Sequence, residues 1–114
     1  MLRGEIRSVD LAPARSGEAG KRRPAVLVSN DGANTAAARL GRGVVTVVPV
    51  TSNVERVFPF QVLLPAKVTG LPRDSKAQAE QIRSISMECI GPRLGVVPAD
   101  LMLRLDEALR LHLG

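Results

Sequence analysis

The sequence predicts a mainly β fold, a small, strongly bent β-barrel with short helices, and three observations predict it. Short runs rich in Val, Ile and Leu recur between Gly and Pro signals. One of them, "GVVTVVPV" from Gly43, is almost wholly β-branched, as a central strand buried on both faces should be. A single long amphipathic segment closes the chain, so helices do not alternate with strands as a βαβ sheet requires.

The elements follow in order. "EIRSVDL" alternates as a short, half-exposed strand whose inner face the pattern leaves open. "PAVLVSN" follows a basic run, with Pro24 at the strand's first position, where a missing N–H is tolerated. "ANTAAARLG" reads as a short Ala-rich helix or turn closed by Gly41. After the central strand, "FQVLLPA" from Phe60, "AQAEQIRSI" from Ala77 and "RLGVV" from Arg93 bring the strands to six. "PADLMLRLDEALRLHL" places Pro98 at the first helical position and Asp100 in the first turn. Its face of Leu101, Leu105, Ala108, Leu109 and His112 makes it a packed lid.

Composition bounds the function. The 114 residues, 45% hydrophobic, suffice for one core, so residues 1–114 are expected to form a single domain. No apolar stretch approaches the ~18–20 residues of a bilayer span, and "MLRGEIRS" lacks a signal-peptide core. A cytoplasmic protein without membrane contact is expected. One cysteine, Cys89, excludes an internal disulfide, and with one histidine, His112, it excludes the usual zinc ligand set. No metal and no cofactor is therefore expected, and Cys89 reads as a buried small hydrophobe. A net charge of +5 suits a protein that meets polyanions. With no Trp or Tyr, and only Phe58 and Phe60, a platform stacking several bases is not expected. Contact has to rest on Arg, amides and hydroxyls.

Three stretches carry candidate chemistry. In "GEAGKRRPAVLVSND", a Gly-rich loop with one carboxylate, Glu18, delivers Lys21, Arg22 and Arg23 to the start of an apolar strand. Those cations either build an anion site or keep the strand soluble. In "VPVTSN", a fully apolar strand ends in Thr51, Ser52 and Asn53, which either donate to phosphate oxygens or cap their own turn. In "AEQIRS", alternation sets Gln81 and Arg83 on one strand face and Glu80 with Ile82 on the other. That face is either solvated and salt-bridged or the lining of an anionic groove.

Taken in order and spacing, "GEIRSVDL", "GEAGKRRPAVLVSND", "VVTVVPVTSN", "PFQVLLPA" with "TGL", and "AEQIRSI" resemble the MazF/PemK/Kid family of mRNA interferases, from about Gly4 to Leu113. The resemblance implies a homodimer of SH3-like barrels of the MazF/PemK/CcdB type with a C-terminal helix. It implies the toxin half of a type II toxin–antitoxin pair, a metal-independent endoribonuclease that cuts single-stranded RNA (mRNA, with rRNA and tRNA as further candidates). The products carry 2′,3′-cyclic phosphate and 5′-hydroxyl ends. By the same resemblance Arg23 and Thr51 match the catalytic pair, Glu18 a loop glutamate, Glu80 and Gln81 an RNA-contacting pair, and Arg83 a basic position implicated in catalysis. Ser52, Asn53, Gln61, Lys21 and Arg22 complete the candidate RNA contacts. Ser86 stands where certain members carry an acidic residue, a departure that puts a general base from that strand in doubt.

Attack by the 2′-hydroxyl needs an acceptor for its proton, cations or donors for the phosphorane's added charge, and a proton for the leaving 5′-oxygen. A guanidinium, gripping two phosphate oxygens at once, suits the second task, and Glu18 is the carboxylate available for the first. An acidic, partly disordered antitoxin tail of the MazE kind is the expected protein partner, folding over the same basic groove. The alternatives are a non-enzymatic, gyrase-binding toxin of the CcdB type and a non-catalytic basic RNA-binding module.

Overall fold

In a computed structural model, which describes residues 1–12 and 21–114, the described chain forms an antiparallel seven-stranded sheet. The strands are β1 (Glu5–Ala12), β2 (Lys21–Leu27), β3 (Val44–Thr51), β4 (Gln61–Leu64), β5 (Ser75–Gln78), β6 (Arg83–Ser86) and β7 (Ile90–Val96). Three helices accompany them, α1 (Asp31–Leu40), the single turn α2 (Ala66–Thr69) and the C-terminal α3 (Ala99–Leu113). The fold is mainly β with short helices, as the sequence predicts. No described helix is long and apolar enough to cross a membrane.

The β-branched run of β3 organises everything else. One edge of β3 pairs with β2, whereas the other pairs first with β6 (Val44–Val47) and then with β5 (Val50 and Thr51). That change of neighbour bends the sheet and gives β3 two buried faces. Val48 and Val50 enter a core with Ile6, Val26, Leu64 and Leu105. Val45 and Val47 enter a second with Val9, Ala25, Leu27 and Ala37. Burial on both faces is as the composition of the run requires.

Several boundaries differ from the sequence reading. The stretch from Ala77 to Ile85 is not one strand. It turns at a 3-10 segment, Ala79–Gln81, where Ile82 N–H donates to the Ala79 carbonyl, because the chain must step from pairing beside Val50 to pairing beside Val47. Seven strands replace six for this reason, and the alternation assigned to Glu80–Arg83 does not apply. β2 begins at Lys21 rather than Pro24, since its first residues ladder onto β1, with Asp10 opposite Arg22 and Val9 opposite Arg23. β7 starts at Ile90 rather than Arg93 because Ile90 still pairs with Val9.

Asn30 caps α1 by accepting from the Ala33 N–H at 2.8 Å, and Gly41 ends it at φ 65°, a conformation that costs glycine little. Pro98 is the N-cap of α3, one residue outside the helix. Leu105 and Ala108 are buried and Leu101 and Leu109 pack beside them, but His112 is exposed, because the last turn runs past the sheet. An Arg3–Asp106 ion pair ties α3 to the residues before β1. Cys89 is only half-buried, against the second core.

Candidate functional site

Strand pairing positions the two residues predicted to do chemistry. The β2–β3 ladder runs Leu27–Val47, Val26–Val48 and Ala25–Pro49 and ends there, and Arg23 and Thr51 each stand two residues beyond its last pair. Thr51 in turn pairs with Lys76 of β5. Directly opposed residues share a sheet face, so Thr51 and Lys76 are side by side, and Arg23 comes to the same end of β3 just past the β2–β3 ladder.

A cleft of about 270 Å³ opens at this end, lined among others by Arg23, Thr51, Ser52, Arg73 and Ser75. Arg23 is exposed, and no hydrogen bond or ion pair to a described residue engages its guanidinium. Arg73 lines the cleft and is a candidate that sequence reasoning missed. It stands after Pro72 in the loop leading to β5, and two cations brought from separate elements make the cleft suited to an anion. The adjacency of "PRDS" to the "TGL" segment was the available signal.

At "TSN" the structure shows the self-capping turn. The Thr51 hydroxyl accepts from the Asn53 N–H at 3.2 Å, and the Asn53 side-chain oxygen accepts from the Glu55 N–H at 3.3 Å. The turn caps itself through acceptor lone pairs, which leaves the Thr51 O–H and the Asn53 NH2 as donors.

The remaining candidates separate. Arg22 is committed elsewhere: its guanidinium donates to the Ser8 hydroxyl at 3.0 Å and the Ser8 carbonyl at 2.8 Å. It lies so close over Gly91 that a Cβ there would stand 1.9 Å from its Nη2. Lys21 enters the description only through its backbone, as the first residue of β2, and Glu18 lies outside the described residues. Arg83 is exposed on β6 opposite Val47, roughly 13 Å along β3 from Thr51 at the usual rise per residue, so it flanks the cleft rather than lining it.

Gln61 is not presented to a ligand. It is 8% exposed, its NH2 donates to Glu80 at 2.7 Å, and its carbonyl accepts from the Phe58 N–H at 3.1 Å. A polar residue at a strand start reads as exposed in sequence, but here both ends of the amide are used internally. Glu80 is half-buried, and its second oxygen has no partner among the described residues. Gln81 is exposed on the 3-10 turn.

Among the described residues no cluster of three or more His, Cys, Asp or Glu side chains is placed to share a metal ion. Two Arg and several hydroxyls around an open cleft can bind a phosphodiester and stabilise added charge on it.

Comparison with known proteins gives a consistent result. A family model described as the PemK-like, MazF-like toxin of type II toxin–antitoxin systems matches residues 2–113. The chain is 64% identical over 113 residues to Endoribonuclease MazF9 of Mycobacterium tuberculosis (strain ATCC 25618 / H37Rv), covering 99% of this chain and 96% of that relative. Among solved structures it is similar to an endoribonuclease in complex with its cognate antitoxin from Mycobacterial species. That likeness has a TM-score of 0.75 and 25% identity, and covers 100% of this chain and 95% of the other. It is also similar to a MazE–MazF crystal structure (Form-II) from Deinococcus radiodurans, at TM-score 0.74 and 25% identity, covering 100% and 95%.

Proposed function

The chain belongs to the PemK-like, MazF-like toxin family of type II toxin–antitoxin systems, and from that premise we propose that it is an endoribonuclease toxin cutting single-stranded RNA at the Arg23–Thr51 cleft. The observation that carries the assignment of the cleft is the convergence at the end of β3, which brings a guanidinium and a hydroxyl from distant segments to one mouth. In the proposed step the 2′-oxygen gives up its proton and attacks phosphorus, the bond to the 5′-oxygen breaks, and solvent water protonates the departing 5′-oxygen. A 2′,3′-cyclic phosphate and a 5′-hydroxyl result.

Arg23 grips the two non-bridging oxygens as negative charge grows on them, and the Thr51 O–H donates a further hydrogen bond to one of them. Arg73 adds a second cation from across the cleft. Arg83, farther along β3, binds a neighbouring phosphate of the same strand. Glu18 is the proposed acceptor of the 2′-proton, with Ser52, Asn53 and Gln81 as RNA contacts. Arg22 and Gln61 are left out of this set because their polar atoms are engaged within the fold.

We further propose that the chain acts as a homodimer in the cytoplasm and is restrained by an antitoxin whose acidic tail covers the cationic cleft. The gyrase-binding alternative is not favoured, because the family match spans nearly the whole chain and the named relatives are endoribonucleases. Incubation of the purified protein with mixed-sequence single-stranded RNA in EDTA tests the reading. Discrete cuts ending in cyclic phosphate are expected. Cutting abolished by the chelator, or random degradation, would overturn it.

A further inference from the structure

Phe58 sits on the loop between β3 and β4, 40% exposed in a chain whose other phenylalanine, Phe60, is partly covered. Its ring is stacked on Phe60, with centroids 5.4 Å apart and planes 12° from parallel. The Arg56 guanidinium stands over the ring, 5.6 Å from its centroid, and the Lys76 ammonium also stands over it at 6.0 Å. Together with Asn53 and Glu55, the residues Arg56, Phe58 and Lys76 line a hollow of about 470 Å³. That volume falls within the ~300–1,000 Å³ of small-ligand sites.

The loop is fastened from beneath by side chains that are costly to bury. Lys76, 7% exposed, donates its ammonium to the Arg56 carbonyl at 2.5 Å. Gln61 accepts the Phe58 N–H through its side chain and donates its own backbone N–H to the Phe58 carbonyl at 2.9 Å, while Glu80 holds its NH2. Burying a lysine and a glutamine forfeits solvation and rotamer freedom. Here they hold in place a ring that the fold leaves open to water.

We propose that this hollow is a nucleobase subsite, in which one unpaired base of the RNA stacks on Phe58 and extends the Phe60–Phe58 stack by a layer. The subsite rests on the RNA-cutting reading of the adjoining cleft and determines where along a strand that cleft cuts. Its position suits the task, because Lys76, its floor, pairs directly with Thr51. A nucleotide whose phosphate is held at the cleft has its neighbour's base at the hollow. The Asn53 NH2 and the Glu55 carboxylate, at the rim, offer a donor and an acceptor to the edge of the stacked base. Arg56, exposed, yields its place over the ring and covers the base or a phosphate instead. Lys76 and Gln61 are positioning residues, acting through Phe58.

The chain has no Trp and no Tyr, which makes Phe58→Trp a sole indole reporter at the subsite. The experiment titrates full-length Phe58→Trp with a short mixed-sequence RNA carrying 2′-fluoro groups, which bear no nucleophile. The end-labelled RNA reports binding by anisotropy, the indole reports stacking by its fluorescence, and an abasic sugar-phosphate oligomer serves as the comparison. Strong indole quenching by the RNA and little by the abasic oligomer is expected. Phe58→Ala should bind the RNA roughly fivefold to a hundredfold more weakly and lose preference among cut sites, by the usual worth of one stacked base. RNA binding without quenching, or a Phe58→Ala variant with unchanged affinity and cut sites, overturns the subsite alone. Absence of RNA binding by the unsubstituted protein overturns the reading beneath it as well.

Discussion

The Arg23–Thr51 cleft and the Phe58 platform lie one strand pair apart and are held in place by different forces. At the cleft the placement is made by backbone: β2, β3 and β5 ladder together, and the side chains at the ladders' end are carried wherever the register takes them. At the platform the backbone is a loop outside any ladder, and two buried polar side chains, Lys76 and Gln61, stand in for the missing strand partners. Functional atoms on a ladder need no dedicated supports, so their removal should leave the fold intact. Atoms on the loop depend on supports whose removal should be felt throughout.

The largest effect expected is at the cleft. Arg23→Ala removes a cation that makes no hydrogen bond or ion pair with the described residues, and its cost should appear in cleavage alone, by about 100- to 1,000-fold as for loss of one charge-stabilising donor. The melting temperature should stay within a degree or so of the parent, since surface changes of this kind shift stability by no more than about 0.5 kcal/mol. Single-turnover cleavage beside a thermal melt reads both quantities. A variant that cuts at the parent rate would remove Arg23 from the mechanism, and one that melts early would show that the cleft is supported by its side chains after all.

Gln61→Leu tests the other half of the contrast. It strands the Phe58 N–H and deprives a half-buried Glu80 of its partner, each worth about 1–3 kcal/mol when left unsatisfied. A fall in Tm of roughly 8–25 °C is expected. Cleavage by the folded fraction should show weaker RNA binding with the chemical step little changed. An unaltered melt with a full loss of cleavage would instead make Gln61 a direct contact, as its sequence position first suggests.

The same contrast explains what was legible beforehand. β3 was readable because its β-branched run can satisfy only a strand buried on both faces, whereas Arg23 and Thr51 were put together by the family resemblance, since the residues alone left a solubilising cation and a self-capping turn as open readings. The turn at Ala79–Gln81 was not, since "AQAEQIRSI" alternates well enough for one strand and nothing local records that β3 changes partners there. Lys76 and Gln61 were hidden for a further reason. A polar residue on a strand reads as exposed unless its partner is known, and their partners, Arg56 and Glu80, lie about twenty residues away in the chain. Arg73 was missed because a loop of Pro, Arg and Asp carries no periodicity to aim it.

Arg22→Ala carries the smallest effect and sharpens the comparison most. It makes the same change in charge as Arg23→Ala, one residue away, so any influence that acts only through the protein's overall field should be nearly equal for the two. Their surroundings differ. Arg22 is bonded to Ser8 and packed over Gly91, whereas Arg23 stands at the cleft. Losing its two bonds should cost about 0.5–1.5 kcal/mol of stability, at the low end because water can replace the guanidinium at an exposed site. Cleavage should remain close to the parent rate at moderate salt, where charges beyond ~8–10 Å are screened. If Arg22→Ala instead loses cleavage in step with Arg23→Ala, and both losses shrink as salt is raised, the cations act together as a field that concentrates RNA. Position at the end of β3 would then count for little, and the assignment of Arg23 to the scissile phosphate would fall.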